Sequence, residues 1–440
     1  MLPALSSIAR GLRRAGHPAV TLRVAAFYSG DAAATATTTP AAAPKPNVVP
    51  DEYYNLEKAT PDTLNVFYLE STDPFLNLAT EEWLFRSLDV TKTRVLMFYQ
   101  NRPCIVVGRN QNLWTELNPR RLAHLNGLPG REPIALVRRR SGGGSVFHDL
   151  GNTNWSLVSH RTIFDKAETA NIIAGALNRL DVVDGASTSA RQDVLVGGDK
   201  VSGAAYSIIR DRALHHATML LSADLNMLRG TLSGEAELNI TSRGVKSVSS
   251  PVRNLRVPAK DQPGELVALQ AMDFSKAVVE ELRAFFEPKD VVFTHMPEAT
   301  MRIIPDVIKN YEELRSWDWF HGQNPNFEQA IRADVGGWEL SLRLKSERGL
   351  IVGIEIESCS APPLPVEHPI SQEALLIRLH GFCEALTGQR YNEAHGVASR
   401  HLERFGSGAD ASGAFSLGRA LQEAIVDRYF VPIGLPGDAP

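Results

Sequence analysis

The sequence is short of cysteine. Its 440 residues include three, Cys104, Cys359 and Cys383, widely spaced. That spacing supplies neither a disulfide framework nor a paired-thiolate metal site, and it fits a reducing compartment. An excess of one charge is also lacking: 46 Lys+Arg against 50 Asp+Glu leave a formal net charge of −4. A protein that coats nucleic acid wants a basic stripe, so that class is set aside. No apolar run approaches the roughly 18 residues that would cross a bilayer, so no membrane partner is expected. No repeat period stands out. The remaining composition, 43% apolar and 22% charged, is that of a folded globular protein. The length corresponds to two or three domains of roughly 150 residues.

The first fifty residues differ from the rest. Arg10, Arg13, Arg14 and Arg23 precede the first acidic residue, Asp31, and Leu2, Leu5, Ile8, Leu12 and Val20 interleave with them. An Arg-rich, acid-free, amphipathic start reads as a mitochondrial transit peptide, residues 1–30, with the matrix as destination; a frayed basic N-terminus is the plainer alternative. The arginines interrupt the apolar stretch, which makes it a poor secretory signal. Residues 31–62, rich in Ala, Thr and Pro over 32–50, read as a disordered linker.

The folded part begins near Thr63. TLNVFYLE (63–70) has strand composition, and Asp73-Pro74 opens a helix with Leu76, Ala79, Trp83, Leu84 and Leu88 on one face. Short strands are predicted at 94–100, 104–108 and 134–139. A helix is predicted at 165–180, strands over 193–221 turning at Gly197-Gly198-Asp199, and a helix at 274–287. Beyond, Trp338, Leu340, Leu342 and Leu344 alternate with polar residues. The chain turns at Glu347-Arg348-Gly349, and Val352, Ile354 and Ile356 alternate on the return: a hairpin with one buried face. A helix follows at 371–386. Strands and helices without a βαβ rhythm favour an α+β fold with a mixed sheet over a doubly wound one. The division is a catalytic domain at 63–315 and a small α+β accessory domain at 316–440.

Chemistry concentrates in two segments. In RRRSGGGSVFHDLGNTNWS (138–156), three consecutive glycines follow a strand. Their use is close approach of backbone N–H groups to a ligand. Arg138, Arg139 and Arg140 beside them would suit a phosphate or carboxylate cradle; a tight turn with solvated arginines is the plainer alternative. In RQDVLVGGDKVSGAAYSIIRDRALHHATMLLSADL (191–225), Lys200 precedes its glycine, so the segment is no P-loop. Among small neighbours Lys200 can lie against a ligand as a point charge, or it is an exposed hairpin lysine. His215 and His216 in a strand point to opposite faces and make a poor metal pair, and no metal site is expected.

Together these segments resemble the lipoate–protein ligase family. RRRSGGGSVFHDLGN (138–152) follows its first block, and KVSGAA (200–205) with HHATMLL (215–221) follows its second. DPFLNLATEEWLF (73–85), VVGRNQNLW (106–114) and SWDWFHGQNPNF (316–327) are similar too. The likeness covers about 63–400. It implies a biotin/lipoate ligase-like catalytic domain, a mixed sheet flanked by helices, with a C-terminal accessory domain. It also implies an ATP-dependent ligase that converts lipoate to lipoyl-AMP and passes the lipoyl group to a lysine of a carrier domain. Arg139, Gly144, Ser145, Val146, Phe147 and Lys200 would bind ATP. Gly142, Gly143, His148, Asp193 and Lys200 would bind lipoate, and Lys200 would be the catalytic cation between carboxylate and α-phosphate. Mg2+ is expected with ATP. The partners implied are lipoyl domains of 2-oxoacid dehydrogenase acyltransferase subunits and the glycine-cleavage H protein.

Departures from the family pattern are Gln192 where Asn is frequent, Ala217 where Gly is common, Ser249 where Arg is frequent, and a polar loop at 256–265. The alternative activity is a carrier-to-carrier lipoyl or octanoyl transferase without ATP. Such relatives rely on a cysteine nucleophile, and neither block contains one. Biotin ligases lack the His-Asp-x-Gly-Asn run. A carrier-binding protein without catalysis would have lost Arg139 or Lys200.

Overall fold

The computed structural model describes residues 63–434, apart from 229, 233, 235, 260, 261, 263, 362–370 and 407–416. The expected transit peptide and linker, 1–62, lie outside the described residues. No described helix is long and apolar enough to cross a membrane. The chain forms two compact units, each assembled from separated stretches.

The first unit holds described residues of 63–102, 150–223 and 251–311. Its centre is a six-stranded mixed sheet in the order Ala204–Ile209, Arg212–Leu220, Asn152–His160, Thr93–Gln100, Thr63–Leu69, Asp290–Met296. Thr63–Leu69 runs parallel to both its neighbours, and the other pairings are antiparallel. Alternation sorts the side chains. Leu64, Val66, Leu96, Phe98, Trp155 and Leu157 meet Ile173 and Leu177 of helix Lys166–Asn178 and Phe274, Val278 and Leu282 of helix Ala271–Phe286 in one buried cluster. Tyr99, Ser156 and His216 face the other way and meet helix Pro74–Ser87 through Glu81. Asp73 caps that helix, accepting from the Phe75 N–H, and Pro74 takes its first position, as the sequence predicts. The buried face is wider than predicted: Glu81 and Glu82 are buried, whereas Trp83 is only half-buried.

A three-stranded ladder, Ala186–Thr188, Val194–Val196, Asp199–Ser202, belongs to the same unit. Val196 pairs with Asp199, so the turn is Gly197-Gly198 alone, with φ of 59° and 86°. Two successive left-handed residues are what a tight hairpin asks of its turn. The polar stretch 256–265 begins in a short ladder, Arg256–Pro258 against Leu266–Ala268.

The second unit holds described residues of 103–149, 224–250 and 312–434. An antiparallel sheet runs Ile240–Ser242, Phe327–Val335, Trp338–Glu347, Leu350–Ser360. The predicted hairpin is present, turning at Arg348-Gly349 (φ 47° and 76°). Its return strand departs from simple alternation. A bulge near Lys345/Ser346 puts Ile351 inward at 0% exposure and turns Val352 out at 47%. Helix Gln372–Leu386, capped by Ser371, packs Leu375, Leu379 and Phe382 into the core that also holds Trp114, Phe327 and Tyr391. A smaller sheet, Ala135–Arg138, Cys104–Val107, Val146–His148, carries the glycine-rich loop.

Candidate active site

The glycine-rich loop is the chain between two strands that flank a third. Ala135–Arg138 runs parallel to Cys104–Val107, and Val146–His148 returns antiparallel on its other side. Residues 139–145 bridge them, with Gly143 exposed at φ 87°. Arg139 ties this bridge together. Its Nε donates to Ser141 Oγ (3.0 Å), one terminal nitrogen to the Val106 carbonyl (3.1 Å), and the other to the carbonyls of Gly142 (2.6 Å) and Gly144 (2.8 Å).

The three arginines do not form one cradle. Arg138 is fully buried and donates to the carbonyls of Phe320, Gly108, Arg109 and Gln111. Burial lowers its pKa to about 9. Arg140 pairs with Glu313 at 2.7 Å and lies over the Trp319 ring. Only Arg139 has a local reason: the glycine-rich backbone offers carbonyls that no sheet or helix occupies, and a guanidinium carries enough donors to gather them. Ser145 is half-buried, its N–H donating to Ser247 Oγ (2.9 Å) and its hydroxyl to Gln111 Oε1 (2.9 Å). Val146 is half-buried; Phe147 and His148 are buried.

Lys200 sits in the first unit on the strand Asp199–Ser202. Val201 turns into the core and Lys200 the opposite way. The Lys200 backbone is gripped on both sides: its N–H donates to the Pro251 carbonyl (2.9 Å) and its carbonyl accepts from Arg253 N–H (3.2 Å). Its ammonium meets Asp193 Oδ1 at 2.8 Å, with side chains 25% and 17% exposed. The pair is thus accessible to a ligand, and the carboxylate holds the cation in place. Asp193 is itself held, its N–H bonded to Ser189 Oγ (3.1 Å). Gln192 beside it has φ 62°, a conformation that Asn adopts more readily than Gln.

His215 and His216 do point to opposite faces. His215 packs against Trp155 and Tyr206, with ring centroids at 4.8 and 4.5 Å, and burial, then the charges of His216 and Lys166, lowers its pKa to about 3. His216 Nδ1 meets Glu81 Oε1 at 2.8 Å. Among the described residues no cluster of three metal-ligating side chains occurs. Cys104 stands opposite His148 in register but is fully buried. A thiol nucleophile must reach an acyl carbon, and this one is sealed in.

Sequence reasoning missed Glu81, Gln111, Glu116 and Ser247. Glu81-Glu82 reads as the wet side of a helix; the sign of burial was only that Ala79 and Leu84 flank it. Gln111 and Glu116 lie in and just after the VVGRNQNLW run, and nothing local marks their side chains as loop supports.

A mixed sheet flanked by helices in one unit, and in the other a smaller sheet presenting a glycine-rich loop beside an antiparallel sheet with its helices, make an α+β fold. The family model of the lipoyl protein ligase A/B catalytic domain matches residues 73–283. Among solved structures, LipL1 of P. falciparum in complex with lipoate is 21% identical, covering 77% of this chain and 94% of its own, at a TM-score of 0.48. A putative lipoate protein ligase of T. acidophilum with bound lipoic acid is 22% identical over 59% of this chain and 99% of its own, TM-score 0.43. Lipoate-protein ligase A bound with ATP is 22% identical over 59% and 98%, TM-score 0.42.

Proposed function

We propose that this enzyme is an ATP-dependent lipoate–protein ligase. Lipoate's carboxylate oxygen attacks the α-phosphorus of ATP, and pyrophosphate leaves with the bonding electron pair. A carrier lysine's amine then attacks the acyl carbon; AMP leaves, the amine proton passes to solvent, and an amide results. The observation that carries the reading is the partly exposed Lys200–Asp193 pair, inside the matched stretch and fixed by a gripped backbone. Bringing a carboxylate to a phosphate opposes like charges. A cation between them relieves that, and a charge-assisted hydrogen bond contributes about 1.5–3 kcal/mol. Asp193 would hold the ammonium in position until the substrate anions take it over. Arg139 and the loop 142–147 would line the nucleotide and the acyl group, with Mg2+ entering as the ATP complex. Neither step asks the protein for a nucleophile, and the sealed Cys104 is consistent with that.

Carriers would be lipoyl domains of 2-oxoacid dehydrogenase acyltransferase subunits and the glycine-cleavage H protein, and the Arg-rich start would direct the chain to the mitochondrial matrix. The test mixes the protein with lipoate, Mg-ATP and a lipoyl domain and follows the carrier's mass. An ATP-dependent gain that Lys200→Ala abolishes is the expected result. Transfer from an already acylated carrier without ATP, and none from free lipoate, would overturn it in favour of the transferase.

A further inference from the structure

Supports of the glycine-rich loop converge on one buried carboxylate. Glu116, 4% exposed, receives three donors at Oε2: the Ser247 N–H (3.0 Å), the Ser247 hydroxyl and Gln111 Nε2 (2.7 Å). A carboxylate only accepts, so it imposes a direction on each partner. The Ser247 proton is spent on Glu116. Its oxygen therefore faces outward as an acceptor, for the Ser145 N–H (2.9 Å) and Gln111 Nε2 (2.9 Å). The Gln111 amide nitrogen is likewise turned to Glu116. Its Oε1 then accepts from the Gly108 N–H (2.9 Å) and the Ser145 hydroxyl (2.9 Å). Flipping that amide would set NH2 against N–H and carbonyl against carboxylate, so the carboxylate leaves one orientation. Every group in the relay thus presents an acceptor to the loop.

We propose that Glu116 is a positioning residue for lipoate activation, fixing the place and hydrogen-bond polarity of Gly108 and Ser145 through Gln111 and Ser247. The inference rests on the ligase reading for its catalytic consequence. Glu116 acts on the substrate only through those partners. It explains why a carboxylate is buried there: three donors offset its desolvation, and an isosteric amide would let the relay reverse.

The test uses the full chain with Glu116→Gln, Ser247→Ala and both. Three readouts are followed: lipoate-dependent exchange of pyrophosphate into ATP, transfer from synthetic lipoyl-adenylate to a lipoyl domain, and hydrogen exchange of the Gly108 and Ser145 amides without ligand. Glu116→Gln should slow pyrophosphate exchange about 10-fold or more, one charged hydrogen bond's worth, and speed exchange at both amides. The double variant should lose less than the product of the single losses, because the two residues act in series. Multiplicative losses, or unchanged amide protection in Glu116→Gln, would overturn the proposal. Should Glu116→Gln fail to fold, Ser247→Ala decides: Ser145 should lose protection while Gly108, held by Gln111, keeps it, and equal loss at both refutes the relay. A wild-type chain that neither exchanges nor transfers would sink the ligase reading, and amide protection would still decide whether Glu116 sets the loop.

Discussion

Lys200 lies across Gly203: a Cβ placed at residue 203 would come within 2.9 Å of Lys200 Cε and 3.1 Å of Nζ. The glycine three residues after the lysine is therefore a groove for the lysine's own side chain. It steers the ammonium to Asp193. Gly203→Ala should displace the amine while leaving the strand intact, and a shift near 1 Å at a reacting centre costs about 100-fold. Lipoylation of a carrier domain should drop by about 10- to 100-fold, with the thermal midpoint little changed. Wild-type rates in Gly203→Ala would show that this groove does not position the lysine.

Arg139 predicts a second result. Lysine offers its donors from one point and cannot span the carbonyls of Val106, Gly142 and Gly144 together with Ser141 Oγ. Arg139→Lys should thus behave like a loss of two or more hydrogen bonds, about 2–3 kcal/mol. The urea midpoint should fall and lipoylation with it. A variant as stable as wild type would mean that the loop holds itself.

These two residues show what the sequence made legible. The strand–loop–strand setting of 138–148 and the small-residue setting of Lys200 follow from composition and order, because glycine and β-branched residues act locally. The partners do not. Nothing in the Arg triplet reveals that Arg138 is swallowed by four carbonyls while Arg140 reaches Glu313, since those contacts span 27 to 182 positions in sequence and, for Arg140, 173. Ile351 and Val352 exchange places for the same kind of reason. A bulge is a property of the pair of strands, and the return strand alone reads as regular.

Glu81 carries the third prediction. It is buried with His216 Nδ1 at 2.8 Å, Tyr99 OH at 3.1 Å and the Ser156 hydroxyl. Burial pushes its carboxyl up, but the charge and hydrogen bond of His216, with Ser156 and Tyr99, outweigh that and hold it below the usual carboxylate range. A lowered folded pKa contributes stability above the unfolded value of about 4.5, lost as pH falls through the folded value. Glu81→Ala leaves three polar groups without their acceptor and should cost about 3–5 kcal/mol at neutral pH. Glu81→Gln should be milder and should flatten the stability curve below about pH 4.5. A Glu81→Gln curve parallel to wild type in that range would mean the carboxylate is not held ionised.

His321 and His215 set the acid limb at higher pH. Both are buried, at 0% and 1% exposure, and both have pKa values lowered to about 3, by burial first and then by neighbouring cations. For His321 those cations are Arg138 and Arg390. The unfolded chain takes up protons below about pH 6.5 that the folded chain refuses, so stability falls as pH drops from there toward 3. Each ring contributes a slope of about 1.4 kcal/mol per pH unit in that window. Neither ring nitrogen of His321 has a hydrogen-bond partner among the described residues, and the ring lies against Trp114, Trp317 and Phe320. His321→Phe should therefore stabilise the protein at pH 8, by about 1–3 kcal/mol, the usual cost of an unsatisfied buried polar group. It should also remove one ring's share of the slope between about pH 6 and 4. Urea midpoints measured from pH 8 to pH 4 for both proteins decide it. Loss of stability at pH 8 with an unchanged acid slope would mean that the imidazole is satisfied in solution and titrates freely.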